Sequence, residues 1–167
     1  MGKFIQDEIS SPSNFEFYIG LPSTEEYHVS PHEFTEISAG NGISNAWSIA
    51  RLYSLLIGDV DHGKYKQILN EHIMKLATKS NTPDGELDLF SQMHAPFGMG
   101  FMLFDKTCPK LGPGSFGHLG TGGSVGLATP FYNLSFAYVM NRMKGTISGA
   151  NNRFEPMLTK IVDILNK

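Results

Sequence analysis

The sequence predicts an α+β fold in which antiparallel sheet strands are flanked by helices. Apolar residues recur at helical spacing in the first half of the chain, and short apolar runs joined by Gly- and Pro-rich links follow in the second half. Strands joined by such short links pair antiparallel, because a parallel crossover needs about a dozen residues or more. The 167 residues suit one domain, with a helical part over about residues 1–90 and a sheet plus a C-terminal helix over about 91–167.

In the first part, each predicted helix has apolar side chains three or four residues apart and stops at a Gly-, Pro- or Ser-containing segment. The elements predicted here, in order, are a helix at 3–9, a strand at 15–19, an irregular segment at 20–43, a helix from Ser44 or Asn45 to Gly58, a helix from about Lys64 to Ala77, and a loop at 78–88.

In the second part, short apolar runs bounded by Gly or Pro predict adjacent antiparallel strands at 97–104, 116–120, 123–129 and 133–142. Residues 153–166 are predicted to form an amphipathic helix that covers one face of the sheet. The side chains that we expect this helix to bury are Phe154, Met157, Leu158, Ile161 and Leu165.

Composition excludes several classes of protein. Residues 91–167 hold 7 basic residues, but these are dispersed, which argues against a nucleic-acid interface. No apolar run approaches the roughly 18 residues of a membrane span, and the acidic first residues do not form a signal peptide, which favours a cytoplasmic location. Cys108 is the single cysteine, so a disulfide scaffold is excluded. His28 and His32 have metal-like spacing, but Pro31 interrupts any helix there, and we expect neither a metal nor another cofactor.

Three further motifs lack the structural setting that their chemistry needs. Residues 112–117 fit G-x-G-x-x-G, but strand follows instead of the helix that would bind a pyrophosphate. Residues 122–126 fit G-x-S-x-G, but Ser124 enters a strand and not the strand-to-helix turn of a nucleophile elbow. Thr107 and Lys110 fit T-x-x-K only within a Pro/Gly loop.

One glycine-rich segment keeps a functional interpretation. Seven glycines fall within residues 112–126, and His118 lies at their centre. Glycine permits close approach of a ligand or another strand, and a titratable group beside it is an active-site candidate. A tight hairpin with a surface histidine explains the same pattern. We expect His118 to lie at an exposed cleft edge and not in the core, because its glycine neighbours cannot enclose it.

Four stretches of the chain resemble the C-terminal part of the β-lactamase-related serine hydrolases, which include class C β-lactamases, penicillin-binding carboxypeptidases and β-lactamase-like esterases. The stretches are residues 116–130 (FGHLGTGGSVGLATP), 134–143 (LSFAYVMNRM), 17–22 (FYIGLP) and 38–46 (SAGNGISNA). They occur in family order over nearly the whole chain. The resemblance implies an incomplete β-lactamase/transpeptidase-like fold.

The resemblance also implies roles for individual residues. His118-Leu119-Gly120 matches the third catalytic box of the family, so that His118 would support charge and hydrogen bonding around the nucleophile and the substrate. Gly120 and Gly122 would let a substrate lie against the strand, and the backbone N–H of Thr121 would be an oxyanion-hole donor. Asn141 resembles a family position near the cleft.

The other two family boxes do not occur in this sequence. It contains no Ser-x-x-Lys, and neither Tyr-x-Asn nor Ser-x-Asn; Tyr138 and Asn141 are three residues apart, which would place them on opposite faces of a strand. Since both boxes precede the third box in the family, the chain is expected to be the C-terminal part of a larger domain and inactive alone. A non-catalytic binding or interaction protein, and an enzyme of another class that uses Ser124 or Cys108, stay open as alternatives.

The resemblance gives two expectations about partners. A small acyl, ester or peptide ligand would bind at the cleft edge beside His118. The family sheet also takes strands from both ends of the chain, so this chain is expected to leave a sheet edge unpaired, where self-association or pairing with another chain could occur.

Overall fold

The computed structural model describes residues 1–20, 42–89, 94–120, 122–141 and 153–167. The elements in these ranges are α1 (Gly2–Ile5), a π-helical turn (Gln6–Ser10), β1 (Phe17–Ile19), β2 (Gly42–Ser44), α2 (Ala46–Ile57), α3 (Glu71–Ala77), β3 (Met102–Leu103), a 3-10 turn (Pro109–Leu111), β4 (Phe116–Leu119), β5 (Val125–Thr129), a further 3-10 turn (Pro130–Tyr132), β6 (Leu134–Tyr138) and α4 (Glu155–Leu165).

The main sheet has the strand order β3-β4-β5-β6, and every neighbouring pair is antiparallel. This confirms the predicted α+β class and the predicted succession of adjacent strands. All four strands are shorter than predicted: β4 ends at Leu119 instead of residue 120, and β5 begins at Val125 instead of residue 123. The Gly98 N–H donates to the Phe101 carbonyl at 2.9 Å and closes a tight turn, which limits β3 to Met102–Leu103. β6 ends at Tyr138 instead of residue 142.

Helices cover both faces of this sheet. On one face, Phe116 and Ala128 pack with Tyr53 and Leu56 of α2. On the other face, which we call the back face, Leu127 of β5 belongs to the cluster that α4 completes. Because neighbouring residues of a strand point to opposite faces, β4 and β5 contribute to both clusters and separate them.

The helix α2 begins and ends where the sequence predicts. The side chain of Asn45 accepts a hydrogen bond from the Ser48 N–H at 2.8 Å and caps α2. At the other end, the Gly58 N–H bonds to the Ser54 carbonyl. The predicted irregular segment 20–43 is wrong at its end, because Gly42–Ser44 forms β2 and pairs antiparallel with β1; residues 21–41 lie outside the described residues.

The helix predicted from about Lys64 to Ala77 is wrong in its first half. Val60 and Tyr65 form an antiparallel bridge after a turn, and the Ile68 N–H donates to the Leu55 carbonyl at 2.9 Å, so these amides are used outside a helix. The helix begins only at Glu71, where the Asn70 side chain caps the Ile73 N–H at 3.0 Å.

The C-terminal helix forms where predicted but buries a different line of side chains. Leu158 and Val162 are its buried residues, while Met157 and Leu165 are 44% and 48% exposed. Phe154 and Ile161 are half-buried. The prediction was therefore right for Leu158 and wrong for Met157 and Leu165. The reason is that the sheet contacts a narrow i, i+4 line of the helix, narrower than its apolar arc.

The N-terminal segment is held to α2 by a buried arginine. The Arg51 Nε donates to the Ser13 carbonyl at 2.8 Å, and its Nη2 pairs with Asp61 at 3.0 Å. The guanidinium also lies over the rings of Tyr65 (4.4 Å) and Trp47 (5.2 Å). Residues far apart in the chain are thereby fixed on one side of α2. No helix in the described ranges is long and apolar enough to cross a membrane.

Candidate functional site

His118 lies on β4, one residue before the strand ends, and its side chain is exposed as predicted. It pairs with Gly126 of β5 in an antiparallel register. Two residues earlier on the same face, Phe116 is 1% exposed and anchors the strand against α2. The strand therefore runs from the core to the surface within three residues, and the histidine is placed by the buried end.

The imidazole of His118 is oriented by its own strand. Its Nδ1 lies 2.9 Å from the carbonyl oxygen of Leu119. A carbonyl only accepts, so Nδ1 carries the proton in this contact, and Nε2 is the acceptor in the neutral ring. This contact favours the tautomer in which Nε2 can accept a hydrogen bond from a ligand.

The edge of β4 that faces β3 loses its strand partner after Gly117. The Gly120 N–H donates to the Ser124 carbonyl on the β5 side of the strand, and the Ser115 carbonyl accepts from the Phe104 N–H on the β3 side. Because the direction of these groups alternates along a strand, the odd-numbered residues of β4 direct their backbone N–H and carbonyl groups towards β3. The short β3 pairs with Phe116 and Gly117 only. Beyond it, the Leu119 N–H contacts the Met102 Sδ at 3.4 Å, a weak acceptor.

A tight glycine turn follows the histidine. The Gly123 N–H donates to the Gly120 carbonyl at 2.9 Å, and the Gly120 N–H donates to the Ser124 carbonyl at 2.8 Å. Gly123 has φ +101°, which L side chains rarely adopt, so the turn needs glycine there. Gly120 is exposed and Gly122 is half-buried. Thr121, the predicted oxyanion donor, lies outside the described residues.

Asn141 lies at the same end of the sheet. The register joins Leu119 to Val125 and Val125 to Tyr138, so the end of β6 is two strands away from the end of β4. Asn141 follows three residues later and is exposed. Because β6 ends at Tyr138, the expectation that Tyr138 and Asn141 occupy opposite faces of one strand does not apply.

The alternative nucleophiles have other surroundings. The Ser124 hydroxyl accepts from the Met140 N–H at 3.3 Å and precedes β5, so it is in a hairpin and not at a strand-to-helix elbow. Burial and the nearby Glu155 carboxylate raise the pKa of the Cys108 thiol, which opposes formation of the nucleophilic thiolate. Pro109–Leu111 forms a 3-10 turn, so Thr107 and Lys110 do not share an α-helical face.

The tyrosine nearest to this region in the core also lacks the properties of a proton shuttle. Tyr53 packs against Gly126, the residue opposite His118. Burial raises its pKa to about 12, so the phenol stays protonated at neutral pH. Among the described residues, no cluster of three or more His, Cys, Asp or Glu side chains could hold a metal ion.

One feature of the site was not predicted, and one neighbouring loop follows its prediction. The sulfur contact between Met102 and Leu119 had no sequence signal, because a methionine in an apolar run is usually core. The 112–117 glycine motif forms a loop with φ +79° at Gly112 and +74° at Gly114 and leads into β4. A strand after the motif supports the rejection of a dinucleotide site.

The fold and this strand end define a known class of protein. Residues 1–155 match the Beta-lactamase family. The chain therefore belongs to the β-lactamase family, and the resemblance predicted from its sequence is confirmed. Over 110 residues, or 65% of the chain, it is 28% identical to an esterase/β-lactamase, LipL, of Mycobacterium tuberculosis.

Three solved structures are similar. A penicillin-binding protein homologue from Caulobacter crescentus has a TM-score of 0.70 at 25% identity over 89% of this chain. EstA from Arthrobacter nitroguajacolicus gives 0.77 at 20% identity over 99% of this chain, and a family VIII carboxylesterase gives 0.74 at 22% over 98%; these two show the fold alone.

The chain covers only part of the length of each of these relatives. The chain spans 24% of LipL and 48%, 54% and 51% of the three solved chains, in the order given. The chain is thus a partial β-lactamase-fold domain that corresponds to about half of its structural relatives. This confirms the predicted incomplete fold.

Proposed function

We propose that this chain forms the third-box edge of a β-lactamase-related cleft, binds small acyl, ester or peptide groups there, and does not hydrolyse them by itself. The observation that carries the proposal is the exposed His118 on the open end of β4. In this proposal residues 1–167 are one partial domain, with a helical part over about 1–90 and the sheet and last helix over about 91–167.

The open edge suits a ligand with a carbonyl or amide group. Leu119 directs its N–H and carbonyl to the side that β3 leaves uncovered, so an extended ligand can add to the edge by backbone hydrogen bonds. Nε2 of His118 can accept a hydrogen bond from an N–H of a peptide ligand. Gly120 carries no side chain that would block the approach. Gly122, Asn141 and the Thr121 N–H complete the proposed contacts.

The absence of hydrolysis follows from the chemistry. Oxyanion donors and a histidine lower the barrier to acyl transfer only when a nucleophile is positioned and activated. The sequence contains no Ser-x-x-Lys. The Ser124 hydroxyl already accepts a backbone hydrogen bond in the hairpin, and the Cys108 thiol has a raised pKa.

A second candidate function is a non-catalytic interaction protein. The favouring observation is a line of exposed apolar side chains on α4, formed by Met157 (44%), Ile164 (55%) and Leu165 (48%). In addition, no strand pairs with the outer edge of β6 among the described residues. Exposed apolar patches and open strand edges are the surfaces through which chains associate, so we propose self-association or pairing with another chain there.

Hydrolysis assays separate these functions. The purified chain is incubated with a chromogenic short-chain ester and a chromogenic cephalosporin, beside His118→Ala and Ser124→Ala variants. The proposal predicts no turnover above the His118→Ala control for either substrate. Turnover that Ser124→Ala abolishes would contradict it and identify an enzyme of another class.

Binding at the edge has its own test. NMR with ¹³C-labelled histidine follows the His118 imidazole signal, assigned by its loss in His118→Ala, during titration with a short acyl peptide. The proposal predicts a saturable shift of this signal and no shift of the signal of His62, which lies in the turn after α2. Absence of any His118 shift, together with sedimentation as a dimer, would favour the interaction protein.

A further inference from the structure

A cavity of about 420 Å³ lies behind the sheet, between α4 and the back face. Leu119 and Leu127 line it from the sheet, and Leu158 and Val162 line it from α4. His118 and Leu119 are neighbours on a strand, so the cavity is on the face opposite to His118. The cavity is therefore separate from the cleft edge described above.

The lining is divided between an apolar interior and a polar rim. Leu127, Leu158 and Val162 are at most 5% exposed and form the interior. The rim includes Lys110 and Glu155, which carry opposite charges. The rim therefore has no net formal charge from this pair, and a ligand with a net charge gains little there.

Cys108 stands between these two parts. Its thiol lines the cavity and is half-buried. Burial, and then the Glu155 carboxylate, raise the pKa of this thiol, so that it is uncharged at neutral pH. The thiol thus adds a weak hydrogen-bonding partner without adding charge.

Size restricts the class of occupant. A volume of about 420 Å³ is within the range of roughly 300–1,000 Å³ of small-molecule sites. A helix with its side chains has a diameter of about 10–12 Å and would not fit without displacing α4. A ligand that binds only the folded chain stabilises it by mass action, so an occupant of this cavity would raise the free energy of unfolding.

We propose that this cavity is a binding site for an uncharged small molecule that has an apolar body and one hydrogen-bonding end, such as a medium-chain aliphatic alcohol. The apolar body lies between Leu127 and Leu158, and the polar end lies at the rim beside Cys108. This site is independent of the proposed function of His118.

Binding is measured with the neutral fluorescent probe N-phenylnaphthylamine. The expected result is a saturable, one-to-one rise in fluorescence that octanol reverses and that octanoate reverses at least about tenfold less well, a difference of about 1.4 kcal/mol. No saturable binding, or several probe molecules per chain, would overturn the proposal. Equal competition by octanoate would overturn the uncharged ligand class.

Two variants at one position locate the probe. Cys108→Trp fills the cavity and should weaken probe binding by about tenfold or more, while Cys108→Ala keeps the space, removes only the weak hydrogen-bonding thiol and should weaken binding by no more than about threefold. His118→Ala, on the opposite face, should bind normally. Unchanged binding by folded Cys108→Trp, or lost binding in His118→Ala, would place the probe elsewhere and overturn the proposal.

A second measurement does not depend on a variant that fills the cavity. Cys108 is the single cysteine, so alkylation by iodoacetamide reports on this site alone. Saturating octanol should slow alkylation of the unaltered chain several-fold, and should do so to the same extent in His118→Ala. If circular dichroism shows that Cys108→Trp is unfolded, this measurement decides: an alkylation rate that octanol leaves unchanged would contradict the proposed site.

Discussion

The two ends of β4 differ in burial and in strand pairing. At the first end, Phe116 and Gly117 are buried and pair with strands on both sides. At the second end, His118 is exposed, and Leu119 contacts a methionine sulfur where a strand would otherwise pair. A strand of four residues thus combines a closed end that supports the fold with an open end that presents a histidine.

The comparison shows that the two ends of one short strand have separate roles, one structural and one in presenting a side chain. Phe116 fills the space between Leu103, Ala128 and α2, and this packing fixes the direction of the strand. The same direction brings His118 to the surface without contacts of its own in the core. Loss of the closed end should therefore unfold the chain, whereas loss of the histidine should affect ligand binding alone.

The largest effect is expected for Gly117→Ala at the closed end. A Cβ at this position would lie 2.2 Å from the Gly126 carbonyl oxygen, a backbone atom that cannot move without disturbing β5. We expect a loss of about 3 kcal/mol or more in the free energy of unfolding, measured with urea. Gly120→Ala is the matched control at the open end, since its Cβ would lie 3.4 Å from the Ser124 carbonyl. Equal losses in the two variants would contradict the comparison.

A smaller effect is expected for Thr129→Val, in the core behind the closed end. Thr129 is fully buried, and its Oγ1 donates to the Leu111 carbonyl at 2.5 Å. The variant leaves that carbonyl without this partner, and we expect a loss of about 1–2 kcal/mol in the free energy of unfolding. Ser115→Ala is its counterpart, because the buried Ser115 Oγ has no hydrogen-bond partner among the described residues. That variant should be neutral or stabilising, and a loss as large as that of Thr129→Val would refute the account.

His118→Ala should change stability least among these variants. The side chain is exposed, and its hydrogen bond is made to the adjacent residue. We expect the free energy of unfolding to stay within about 0.5 kcal/mol of that of the unaltered chain. A loss above about 2 kcal/mol would mean that the histidine supports the fold instead of presenting a binding group.

The back face provides a prediction about pH. Burial and then Glu155 raise the pKa of Cys108, so the folded chain favours the neutral thiol. The resulting stability is present below the pKa of the unfolded thiol and is lost as the pH rises from that value through the raised pKa of the folded chain. Glu155→Gln should lower the Cys108 pKa, as followed by the absorbance of the thiolate. An unchanged pKa would show that burial alone causes the shift.

Local signals in the sequence were sufficient for much of the fold. Asn45 and Gly58 marked the limits of α2 because a cap and a stop act within a few residues of the helix. The succession of strands was predictable because short links force neighbouring strands together. The exposure of His118 followed from its glycine neighbours, which have no side chains to cover it.

Non-local contacts account for the errors. The Ile68 N–H bonds to the Leu55 carbonyl where the first half of a helix was predicted, and β2 forms because Phe17 of β1, 27 residues earlier in the chain, is available as the partner of Ser44. Whether α4 buries Val162 or Met157 depends on which side of the helix packs against the sheet. The Met102 sulfur and the cavity behind the sheet likewise arise only when distant residues come together.

Hydrogen exchange of two β4 amides tests the central comparison most directly. The backbone groups of Gly117 and Leu119 are directed to the same side of the strand, where Gly117 pairs with Met102 of β3 and the Leu119 N–H contacts the Met102 sulfur. NMR exchange rates, corrected for intrinsic rates, should give Leu119 a protection at least about tenfold lower than that of Gly117. Met102→Leu, which removes the sulfur, should lower the protection of Leu119 further. Equal protection of the two amides in the unaltered chain would show that the edge beside His118 is closed, and would contradict the account.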